Sequence, residues 1–153
     1  FYIGVLKARI ADFSKQKVAY YDFNEYASSM KSYMSNLAQL EGIFARLLKV
    51  AAHPAVVEAY FRLAQLYEVA SKEFAGEWNY DGLTAADRKQ IDEAKERNLI
   101  ILRDKMTQSF VSSYQWAQKH KVFNQYRNKS LDRLAELFPA KYKKSKESVA
   151  PPK

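Results

Sequence analysis

One run of apolar residues, stepping by four and three without a miss, constrains this chain more than anything else in it. The run is Tyr26, Met30, Tyr33, Leu37, Leu40, Phe44, Leu47 and Ala51. A helix repeating near 3.6 residues brings such positions onto one face, whereas a strand repeating every two scatters them. The spacing therefore predicts a helix over residues 25–51, about 40 Å long at 1.5 Å per residue. Asp22 and Asn24 are the candidate N-caps before it. His53-Pro54 closes it and opens the next helix, because proline is at home in a first helical turn.

The same spacing recurs on either side. Ile3, Leu6, Ile10 and Phe13 mark a first helix. Val56, Tyr60, Leu63, Tyr67, Ala70 and Phe74 mark a third over residues 54–75. Gly76 and the stretch Trp78 to Gly82 interrupt the pattern, as Gly and Asp-Gly do. Thr84 and Asp87 form a capping-box pattern, and a long helix follows to about Lys119. A short amphipathic helix with Leu131, Leu134, Leu137 and Phe138 is stopped by Pro139. Four Gly and four Pro in 153 residues leave too few turns for a barrel or sandwich of short strands. The expected fold class is all-α, with antiparallel helical hairpins, long helices and one extended inter-helix insertion.

The chain starts with Phe1, inside an apolar-periodic segment, and reads as a fragment of a longer polypeptide. Residues 1–142 are expected to form a single helical domain, followed by a disordered basic tail over 143–153. Net charge is +8, and half of it lies in the last fifteen residues, which hold five Lys and one Glu. The absence of cysteine excludes disulfides, thiolate metal sites and cysteine nucleophiles. There is no 18-residue apolar run to span a membrane.

Tyr60-x2-Leu63-Ala64-x2-Tyr67 has the large, Leu, small, aromatic order of the first helix in a tetratricopeptide repeat. The matching second-helix pattern lies far downstream, as Phe110-x3-Tyr114-x2-Ala117, so the two helices are expected to flank a long insertion. The order from Ala59 to Tyr67, the spacer ending at Gly82-Leu83-Thr84, and the closing segment Leu131 to Pro139 extend the likeness. Residues 55–142 resemble the end of large tetratricopeptide-repeat proteins of the deltaproteobacterial cell envelope, including gliding-motility components. Ala64 stands where the repeat usually has glycine. The resemblance implies a scaffold located in the periplasm or cell envelope, while the residues alone leave a cytoplasmic location open.

Chemistry-bearing motifs are sparse. His53 and His120 are 67 positions apart without neighbouring carboxylates at ligand spacing, and no metal site is expected. Asp92, Glu93 and Glu96 lie among Arg88, Lys89, Lys95 and Arg97, where i,i+4 pairing on a solvated face accounts for them. Phe74, Trp78, Tyr80 and Leu83 admit two readings, an exposed aromatic anchor or a loop folded back over the core. Tyr20, Tyr21 and Phe23 similarly suit either a surface groove or the junction of the first two helices.

The functional expectation is a non-enzymatic protein–protein interaction scaffold with no cofactor and no small-molecule substrate. In a repeat of this type the inner helix offers its non-core residues to a protein or peptide, here Glu58, Phe61, Arg62, Gln65 and Glu68. The alternative is a basic helical module that binds nucleic acid or an anionic membrane surface, with membrane contact through the basic tail or upstream parts.

Overall fold

A computed structural model describes residues 2–20 and 23–145. Five α-helices account for the architecture, and no strand occurs among the described residues. They are α1 (Tyr2–Ser14), α2 (Phe23–Val50), α3 (His53–Phe74), α4 (Ala85–Lys119) and α5 (Gln125–Leu137). The all-α expectation holds.

Local chemistry fixes the boundaries. Ala52 is the N-cap of α3, and Pro54 occupies its first turn, where a missing N–H costs nothing. Thr84 and Asp87 form a reciprocal capping box at the start of α4. Each side chain accepts from the other's backbone amide, at 3.1 Å for Thr84 and 3.4 Å for Asp87. At α5 the Asn124 side chain accepts from the amides of Tyr126 and Arg127. Asp22, a candidate cap of α2, lies outside the described residues.

α3 is the hub, contacting α1, α2, α4 and α5. Its buried residues include Val57, Ala59, Phe61, Ala64, Leu66 and Ala70, which surround the helix rather than forming one stripe. A helix buried all round is a core helix. This differs from the six-residue stripe read from spacing, because α5 covers the side that the stripe leaves polar. α3 and α4 pair antiparallel and directly: Phe61 meets Phe110 at 6.0 Å, and the Ser113 hydroxyl donates to the Val57 carbonyl at 2.9 Å. The separating segment between the two repeat-like patterns is mostly continued helix, with a loop confined to residues 75–84.

Two small residues bring α5 close. The Ser130 hydroxyl donates to that of Ser113 at 2.9 Å, so one chain of hydroxyls links α5, α4 and α3 within the core. Both serines are fully buried. A buried hydroxyl left unpaired costs about 1–3 kcal/mol, so this relay fixes the register of the three helices. Past α5, Tyr142 packs against the core and the Ser145 amide donates to Asp132 at 2.8 Å. Residues 143–145 therefore lie against α5, inside what the sequence assigns to a tail. Residues 146–153 of that tail lie outside the described residues.

Candidate functional site

The five residues expected to meet a partner lie on the face of α3 that α5 covers. Phe61 is only 6% exposed and packs against Phe110 and Tyr126. Arg62 donates to Gln65 at 3.0 Å, to the Tyr126 hydroxyl at 3.2 Å and to Glu58 at 3.4 Å. Its guanidinium also sits 5.2 Å from the Tyr126 ring centroid, a cation–π contact. Glu68 accepts from Arg133 of α5 at 2.5 Å. The structure thus brings the five together as a polar and aromatic seam between α3 and α5. Nothing in the spacing of α3 alone reveals which helix will lie on that face.

The aromatic loop folds back. Trp78 packs on Tyr26 at 3.7 Å and on Tyr20 at 5.1 Å between ring centroids. The Tyr20 hydroxyl donates to the Glu73 carbonyl, and the Asn79 amide donates to the Tyr20 carbonyl at 3.0 Å. Burial, followed by the nearby Glu73 carboxylate and Tyr26, pushes the Tyr20 hydroxyl well above its ordinary pKa. Tyr80 donates to Asp92, and Glu93 pairs with Lys89 at 3.9 Å. Two of the three carboxylates considered for paired acid–base work are thereby engaged in local structural contacts.

The histidines, far apart in sequence, meet in space. Their rings stack at 3.7 Å with a 13° interplanar angle, where the start of α3 meets the end of α4. Trp116 donates its indole N–H to His53 Nδ1 at 3.2 Å. His120 Nε2 is buried without a hydrogen-bond partner among the described residues. Burial first, then His53 and Lys119, lowers the His120 pKa. Among the described residues no group of three metal-ligating side chains forms. The pair is a junction device that sequence separation hid.

Among the clefts of the described residues, two bear on binding. A groove of about 540 Å³ runs between α1 and α2, floored by Val5, Ile43, Leu47 and Val50. Arg9, Arg46 and Lys49 complete its lining, which contains no acid. Beyond Arg9 it continues as a more polar cleft of about 440 Å³ lined by Asp12, Gln16, Asn36 and Gln39. The second surface is a cleft of about 500 Å³ beside α5, where Arg127, Lys141, Lys143 and Lys144 surround Tyr114 and Tyr142. Comparison with protein families, with curated proteins and with solved structures finds no match.

Proposed function

We propose that this chain is a non-enzymatic protein-docking module, a tetratricopeptide-like helical unit of a larger cell-envelope scaffold. The observation that carries the docking reading is the long apolar groove between α1 and α2. Val50 is 73% exposed and Val5 41%, side by side on adjacent helices. Apolar side chains at positions 43, 47 and 50 of α2 follow an i, i+4, i+7 pattern, the pattern by which one helix receives another. The repeat-like reading draws support from Ala64, fully buried at the small position of the motif, and from the direct antiparallel pairing of α3 with α4. The envelope location rests on the sequence resemblance.

The test is a titration of the isotopically labelled protein with an uncharged amphipathic helical peptide, followed by amide chemical shifts. Shifts concentrated at residues 5–9 and 43–50 are the expected outcome. Shifts absent from both segments would refute docking at this groove.

A second reading, binding to nucleic acid or an anionic surface, is favoured by the cationic cleft beside α5. Its wall pairs a cation with a ring, Arg127 lying 5.5 Å from the Tyr114 centroid, and outside the lining the same guanidinium lies 5.4 Å from the ring of Phe123, which is 81% exposed. Phosphate contacts there would weaken steeply with added salt, whereas docking in the α1–α2 groove keeps its apolar contribution and would weaken less.

A further inference from the structure

The groove between α1 and α2 has a shape, a polarity and a charge, and together they specify what fits it. Resting on the docking reading above, we propose that its partner is an acidic amphipathic helix. That helix carries apolar side chains on one face and carboxylates flanking them.

Shape is the first argument. Arg9 lines both the apolar groove and the polar cleft, so the two adjoin end to end as a trough along the α1–α2 seam. On α2 the trough runs from Asn36 to Val50, about 21 Å of helix axis at 1.5 Å per residue. A trough that is long and bounded by two helices fits a rod of about four turns better than a compact small molecule.

Polarity along the trough is the second. Val5, Leu47 and Val50 make the end near the C-terminus of α2 apolar, while Gln16, Asn36 and Gln39 make the opposite end amide-rich. A helix lying here buries its apolar stripe at one end only. Its other end meets side chains that offer both donors and acceptors.

Charge decides the class of partner. The apolar end is lined by Arg9, Arg46 and Lys49, with no carboxylate in its lining. None of the three cations makes an ion pair among the described residues. The nearest acid of the trough, Asp12, lines the polar half beside Arg9. Glu41, the acid in this part of α2, instead accepts from the Tyr67 hydroxyl at 2.9 Å and from Lys105 at 3.2 Å. Cations flanking an apolar floor attract a helix with carboxylates beside its apolar stripe and repel one with lysines there.

Fluorescence anisotropy on the intact chain tests this with three labelled helical peptides of about 16 residues, enough to span the trough. One has a leucine stripe flanked by glutamates, one the same stripe flanked by lysines, and one the glutamates with serines replacing the leucines. The glutamate–leucine peptide should bind most tightly, and Arg9→Ser with Arg46→Ser should weaken it by about tenfold or more. Val50→Asp, at a well-exposed position that leaves the core intact, should do the same. As a control, Lys143→Ser with Lys144→Ser in the distant cationic cleft should leave binding unchanged.

If the lysine–leucine peptide binds equally well, the docking reading stands and the acidic partner is overturned. If the glutamate–serine peptide binds equally well, net charge alone drives association and both readings fall. Failure of all three peptides also overturns both. Phosphatidylglycerol vesicles form a parallel arm. Vesicle binding abolished by Arg9→Ser with Arg46→Ser, without binding of any peptide, would make the surface lipid-binding and overturn the proposal.

Discussion

Gly76 shows how a single hydrogen atom matters to this fold. A Cβ built there would lie 2.8 Å from Cε2 of Tyr20 and 3.2 Å from the Glu73 carbonyl oxygen. The Tyr20 ring cannot simply swing aside, because its hydroxyl is bonded to that carbonyl and its face is packed against Trp78. Gly76→Ala should therefore cost about 1–3 kcal/mol, as overpacking does, and shift the denaturant midpoint accordingly. Gly82→Ala fails for a different reason, a φ of +78° in open space, and should cost about 1 kcal/mol through strain alone. The histidine stack makes a separate forecast. His120 holds its proton less readily folded than unfolded, so the unfolded chain binds more protons. Its contribution is complete above the ordinary value of 6.5 and is lost as pH falls through the lower folded value. After burial, the neighbouring His53 and Lys119 act in the same direction. Melting temperature should thus fall on acidification below about pH 6.5, and His120→Gln should flatten that part of the profile.

Among the elements, α3 and α4 were the most legible in sequence, and the reason is chemical. Pro54 and the Thr84–Asp87 box punctuate the chain with groups well suited to a helix start. Boundaries so marked can be read from single residues. Pairing cannot, because it depends on which faces meet. α5 has the same amphipathic signature whichever helix it covers, so its seat on Phe61 and Arg62 was not readable. Nor was the His53–His120 stack, which joins helix ends 67 positions apart. The candidate site was less legible: of its apolar positions on α2 only Leu47 belongs to the stripe read from spacing, and the groove exists only once α1 lies beside Ile43 and Val50. Ala64 tests the element that was read best. The antiparallel register set by Phe61 with Phe110 places it opposite the stretch near Met106, and it is fully buried. Ala64→Leu should cost roughly 1–3 kcal/mol, while Gln65→Leu, one position away and partly exposed, should cost less. Equal unfolding midpoints for the two variants would contradict close packing at position 64.

Across the whole molecule, cohesion is graded rather than uniform. α3, α4 and α5 share buried aromatics, a hydroxyl relay and the Glu68–Arg133 pair. α1 is a short helix resting on Leu6 and Phe13, with Phe13 against Tyr33 at 4.6 Å. Its following linker is stapled by Glu73, whose carboxylate accepts from the Val18 amide at 2.6 Å and from Lys17 at 3.4 Å. Native-state hydrogen exchange should show protection rising from α1 to the centre of α3. Glu73→Ala leaves the Val18 amide unpaired, and should accelerate exchange across residues 2–18 while sparing α4 and α5. Uniform acceleration across all five helices would mean that α1 is an integral part of the core.

That grading carries a mechanical consequence. Load applied between the two ends of the chain does not divide evenly, since a helix that can be peeled turn by turn yields before a bundle that must be sheared. α1 is held by Leu6 and then Phe13, and the Glu73 staple on Lys17 and Val18 is the last clip before α2. On that geometry α1, one wall of the trough, should yield before the α3–α4–α5 bundle, an order that pulling from the N-terminal end would check. If a partner docks in that trough as proposed, peeling of α1 would remove one of the two walls that hold it.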